Sequence, residues 1–163
     1  MTPKRLIATP AEAKALHNGE TVEIWRKLKL QPYMVLTRKE WESRALSGVD
    51  SYARPIGAEI LEDLIEQSPF PPASRWWVAE TFAIVPTTAY RYSEGVTQRV
   101  NPIDRYYSAI YKAGWDRSGK QPWQSSAQMP CWASRTIAES LACRVELKDG
   151  TWHWVANMKG EKA

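Results

Sequence analysis

The sequence predicts an α+β domain with a mostly antiparallel, barrel-like sheet, and three observations carry that prediction. Helical spacing is concentrated in the first half, where Ile60, Leu61, Leu64 and Ile65 share one face. Strand spacing dominates the last third, where Ile137, Leu141, Cys143, Val145 and Leu147 fall on one side of an extended chain. Between them, Trp76 to Val85 is an apolar run rich in residues that suit a pleated surface, and it stops at Pro86. Helices first and strands later argue for α+β. A chain of 163 residues fits one domain, 1–163, with a core of its own. Apolar and charged fractions of 44% and 25% are those of an ordinary globular protein, which sets aside disordered and fibrous classes.

Taken in order, Leu6-Ile7 suggests a short first strand. Thr9-Pro10-Ala11-Glu12 reads as a helix start, with Thr9 as N-cap, Pro10 in the first helical position and Glu12 in the first turn. That helix runs through Leu16 and stops near Asn18-Gly19. In Glu20 to Arg26, Val22 and Ile24 alternate with charge, as in an edge strand. Tyr33 to Leu36 is a short strand, Thr37 to Leu46 a helix, and Ala58 to Gln67 a further helix preceded by Gly57 and ended by Ser68-Pro69. Pro69, Pro71 and Pro72 stiffen the approach to the central strand, Trp76–Val85. Thr88 to Tyr92 reads as a returning strand, 93–105 as a loop, Tyr106 to Lys112 as a strand and 114–126 as a loop. Asp149-Gly150 marks a hairpin turn, Thr151 to Val155 its second strand, and Lys159 to Ala163 a frayed tail.

Glu80 lies inside the most apolar run of the chain, and a buried carboxylate is costly unless paired or hydrogen-bonded. It is a cleft carboxylate or a structural one paired with Arg135 or Arg26. Nine Trp offer stacking surfaces or core bulk, and a net charge of +4 permits a nucleic-acid partner without demanding one. His17 and His153 lack partners at metal-ligand spacing, and no metal or cofactor is expected. Cys131 and Cys143 read as reduced thiols. No signal peptide or membrane span is expected, so the expected location is cytoplasmic.

Three ordered blocks carry a family resemblance. They are Gly19-Glu20-Thr21-Val22-Glu23-Ile24-Trp25-Arg26 with Leu28, Lys29, Gln31 and Pro32; Trp77-Val78-Ala79-Glu80-Thr81-Phe82; and Trp123 through Met129-Pro130-Cys131-Trp132-Ala133-Ser134-Arg135. Over about residues 10–147 the chain resembles the ASCH domain, a PUA-like β-barrel family, in its phage and prophage version. The C-terminal hairpin, about 144–156, is an addition. The resemblance implies a mostly antiparallel barrel with flanking helices and a cleft for nucleotides or RNA. Some members are amidohydrolases of N4-acylcytidine, with a Lys two residues after a Gly, a Thr three residues later and a Glu on the central strand; one group is reported as ribonucleases. Here the Lys position is Thr21, the Thr position is Ile24, and the Arg common before the Glu is Ala79. Glu80 alone matches the catalytic set, and losing a nucleophile with its base removes a unit that works together.

The expectation is therefore a diverged, non-catalytic ASCH-like domain that binds nucleotide or single-stranded nucleic acid, RNA above all. Thr21, Arg26, Glu80, Trp132, Ser134 and Arg135 are the expected ligand residues, Arg because its planar fork suits phosphate or carboxylate. The Met129–Arg135 segment either lines the cleft or serves structure, with Pro130 leading into a strand and Trp132 capping the barrel. One alternative is a nucleoside or RNA hydrolase using Glu80 as its catalytic acid/base. Another is a phage protein, acting in the host cytoplasm, that blocks a host protein through a Trp-rich surface. Trp152 and Trp154, on one face of the added hairpin, motivate that last reading.

Overall fold

A computed structural model describes residues 3–46 and 58–163. The fold is mixed α+β and mostly sheet, with three short α-helices among the described residues. The chain folds as two compact units. The first comprises Met1–Val22, Ser74–Glu139 and Met158–Ala163, and the second Glu23–Ala73 and Ser140–Asn157.

In the first unit, β1 (Lys4–Ile7) leads into α1 (Pro10–His17). The expected cap is present in full: Thr9 Oγ1 accepts from Glu12 N at 3.3 Å, and the Glu12 carboxylate accepts from Thr9 N at 2.9 Å. α1 buries Ala13 and Leu16. β1 and β5 (Arg75–Ala79) belong to a five-stranded sheet ordered β1-β5-β9-β10-β2, whose other strands, β2 (Thr21–Lys27), β9 (Thr136–Lys148) and β10 (Thr151–Lys162), each have residues in both units. β1 pairs parallel with β5, setting buried Leu6 opposite buried Val78, and β5 pairs antiparallel with β9. β2 ends the order, the edge position that its alternation predicts.

A three-stranded sheet completes this unit, with β8 (Tyr107–Tyr111) between β6 (Phe82–Pro86) and β7 (Arg99–Val100). Both faces of this sheet are covered. Phe82, Ala109 and Tyr111 pack on one side with Ala79, Met129 and Ala133. Ala83, Val85 and Ile110 pack on the other with Tyr90, Val96, Trp115 and Trp123. The two-residue alternation explains the division.

In the second unit, β3 (Met34–Leu36) pairs parallel with β4 (Ala58–Ile60), and α2 (Arg38–Leu46) and α3 (Leu61–Glu66) follow these strands. Thr37 and Glu40 form a second reciprocal cap, both bonds at 3.1 Å. The β9–β10 hairpin turns at Asp149-Gly150, with φ of 52° and 73°. Positive φ at both central residues suits the right-handed twist of paired strands. Gln31 holds Trp152 by both backbone groups, at 3.0 Å to its carbonyl and 2.6 Å from its amide.

Five expectations are corrected. The run 76–85 is two strands, β5 and β6, in different sheets, interrupted at Glu80-Thr81. Its backbone changes partners there: Ala79 O accepts from Ala8 N at 3.0 Å and Thr81 O from Lys112 N at 3.0 Å. Ala58–Ile60 is strand rather than helix, because its pairing with β3 outweighs the local periodicity; Gly57 lies outside the described residues. Thr87–Tyr90 is a 3₁₀ turn, since β6 takes its partner from Tyr107–Tyr111 and leaves 88–92 no ladder to join. The loop 93–105 contains β7. The tail is strand to Lys162: Gly160 N donates to Glu20 O at 3.2 Å, and Ala163 N to Arg135 O at 3.0 Å. Among the described residues no helix is long and apolar enough to cross a membrane.

Candidate functional site

The interruption between β5 and β6 turns Glu80 into the first unit, where it is 2% exposed. Its partner comes from 55 residues later, where a 3₁₀ turn (Cys131–Ala133) delivers Ser134 and Arg135 to the start of β9. Arg135 grips both carboxylate oxygens, Nε to Oε1 at 2.8 Å and Nη2 to Oε2 at 3.2 Å. The fork-to-fork geometry is the strong form of this pair. Arg135 Nη2 also reaches Ala113 O at 3.4 Å, and the guanidinium carbon lies 4.2 Å from the centre of the Tyr111 ring, a cation–π contact. Tyr111 donates to Ala133 O at 2.6 Å. Burial pushes its hydroxyl above the usual range, with Arg135 opposing and Glu80 reinforcing the shift, so it remains a donor. The Ser134 hydroxyl is buried between Val78 O at 2.9 Å and Thr136 O at 3.0 Å.

Over the Arg135 guanidinium a small cleft opens, walled by the Gly95–Thr97 turn, Tyr111, Ala113-Gly114 and Trp115. Its volume of about 30 Å³ admits one small polar group. Trp115 stands edge-on to Tyr90 and Trp123, at 5.3 and 5.4 Å between ring centres. Its indole Nε1 is the one buried side-chain nitrogen or oxygen without a hydrogen-bond partner among the described residues. Buried indole donors ordinarily find an acceptor.

The structure thus brings together Glu80, Ser134 and Arg135, with Trp132 nearby. Trp132 is half-buried against the core that holds Tyr111, and its carbonyl accepts from Arg99 Nε at 2.8 Å. Thr21 is exposed at the start of β2, and none of the described hydrogen bonds joins it to Glu80 or Arg135. Arg26 belongs to the second unit, where its Nη1 donates to Trp25 O at 2.8 Å. Ile24 is fully buried in the apolar core of that unit. Trp152 and Trp154 are both half-buried, and the Trp154 indole donates to Leu64 O at 3.4 Å. Tyr111 and the Gly95–Thr97 turn are lining residues that sequence reasoning missed; an aromatic in an expected strand and a turn in an expected loop carry no signal of their own.

Other reactive groups are accounted for by their surroundings. His17 Nδ1 lies 3.0 Å from the Thr136 hydroxyl. Burial, then the charges of Arg135 and Lys162, lowers its pKa from 6.5 to about 4. Cys131 and Cys143 are both free thiols. Burial raises the Cys143 pKa against a 3.0 Å contact with Ser68 Oγ. Among the described residues no three His, Cys, Asp or Glu are grouped to hold a metal ion. In comparisons with known proteins, no family model, no curated protein and no solved structure matches the chain.

Proposed function

We propose that this chain is a phage-type ASCH-like domain that binds a nucleotide or short single-stranded nucleic acid, RNA by preference, and does not catalyse its conversion. Two observations carry the reading: the Trp115 indole N–H is buried without an acceptor, and Trp115 and Arg135 line the same small cleft. Two donors and the Tyr111 ring favour an acceptor group carried on something flat, such as a base carbonyl or a phosphate oxygen. The cleft admits that group alone, so the rest of the ligand lies across its mouth.

The pairing of Glu80 supports binding over hydrolysis. Both of its oxygens already serve Arg135, and the family's amine and hydroxyl positions hold Thr21 and Ile24. The same reading carries a PUA-like barrel, whose closure takes pairing beyond the three separate sheets found among the described residues. The host-protein reading draws less support, because neither hairpin Trp stands fully outward.

The test is titration of the full chain with oligouridylate and with CMP at low salt. Trp115→Phe keeps a ring but removes the N–H, and one lost hydrogen bond weakens binding by about 3- to 10-fold. Affinity for the oligomer falls as salt rises. No binding of RNA, DNA or nucleotide at low salt ends the proposal. Hydrolysis of acylated cytidine or RNA by wild type that disappears in Glu80→Gln restores the enzyme in its place.

A further inference from the structure

A second pocket, of about 370 Å³, lies wholly within the second unit at the turn of the β9–β10 hairpin. It is lined by Trp25 and Lys27 of β2 and by Lys148, Asp149, Thr151 and His153 of the hairpin. The volume is that of a small-molecule site. Two lysines and one aspartate line it, and among the described residues neither lysine is paired with an acid.

The lining is partly pre-arranged. Lys148 Nζ sits 4.9 Å from the centre of the Trp25 ring, which holds the ammonium at the pocket instead of leaving it loose in solvent. His153 meets the same ring edge-on at 5.6 Å. Its Nδ1 lies 2.9 Å from Thr151 O. A carbonyl only accepts, so Nδ1 carries the proton, and Nε2 of the neutral ring is an acceptor. The pocket therefore combines two cationic donors, a hydroxyl, and two acceptors in His153 Nε2 and Asp149. That set matches an anion attached to hydroxyl groups better than it matches a bare anion.

We propose that this pocket is a phosphate-ester site, in which Lys27 and Lys148 hold the phosphate and His153 with Asp149 accepts from sugar hydroxyls. The ester comes either from a free nucleotide or from a nucleic-acid backbone. The site is separate from the Arg135 cleft and does not depend on it.

The chain has two histidines, which makes the test direct. Ring resonances of His153 are followed in the labelled full chain during titration with inorganic phosphate, AMP and a short oligouridylate at low salt. His17, whose ring feels the charge of Arg135, reports the cleft in the same spectra. His153 shifts saturably with an ester whether or not His17 moves, and inorganic phosphate binds more weakly. AMP without the oligomer identifies a free nucleotide; the oligomer without AMP identifies a backbone; either sustains the site. Lys27→Gln and Lys148→Gln, both at exposed positions, each weaken binding about 10-fold with unchanged circular dichroism. Trp115→Phe leaves the titration unaltered, which separates this site from the cleft. No shift of His153 with either ester overturns the proposal, as does wild-type affinity in both lysine variants.

Discussion

Replacing Glu80 with Gln measures what the buried pair does. The side chain keeps its size, so the change is electrical: the Arg135 guanidinium, 9% exposed, loses the only charge that offsets it among the described contacts. Ala113 O at 3.4 Å and the Tyr111 ring at 4.2 Å remain, and neither carries a full charge. Removing one partner of a buried pair costs roughly 3–5 kcal/mol, most of it the stranded charge. For a chain of this length that lowers Tm by about 6–20 °C. Urea unfolding followed by tryptophan fluorescence reads it. The double variant Glu80→Leu with Arg135→Met removes both charges and recovers most of the loss, because an apolar pair needs no desolvation of ions. A Glu80→Gln protein within ~0.5 kcal/mol of wild type refutes the reasoning, since surface changes alone do as little. So does a double variant that loses the sum of the two singles.

Other outcomes follow from the same geometry. In Gly160→Ala the new methyl meets Leu16 O, C and Cα, all backbone, so the helix must shift; the loss exceeds the ~1–3 kcal/mol of ordinary overpacking. Thermal unfolding, or failure to express folded protein, shows it. Gly150→Ala, at φ 73°, costs about 1 kcal/mol in the same assay. His17 titrates near pH 4 against an ordinary 6.5, so the unfolded chain takes up a proton that the folded chain refuses. Its contribution is complete above pH 6.5 and is lost as pH falls toward 4, by about 1 kcal/mol once screening at this half-buried ring is allowed for. A ring titration of His17 by NMR with a midpoint near 6.5 contradicts this.

The local signals were legible where chemistry acts within a few residues. The Thr9–Glu12 cap, the Asn18-Gly19 stop and the Asp149-Gly150 turn all stand where their residue types place them. Pairing was legible only in part. Nothing in Ala58-Glu59-Ile60 tells that Met34–Leu36 lies alongside, and nothing in Trp76–Val85 tells that two sheets share it. At the site, the need of a buried Glu80 for a partner followed from cost, but the choice of Arg135 over Arg26 is made by the fold. Tyr111 and the Gly95–Thr97 wall were not legible, because they converge on Arg135 from strand and turn positions far apart in the sequence. The tail failed for a related reason: Gly160 has no side chain to advertise its contact with α1.

The interruption at Glu80-Thr81 has a consequence for motion. Two residues of backbone, without a flexible linker, splice the β1-β5-β9 ladder to the β6-β8 ladder. Fraying either ladder tugs directly on the other. Amide protons of Val78 and Ile84 therefore exchange with solvent deuterium by one shared opening, at matching rates, although they belong to separate sheets.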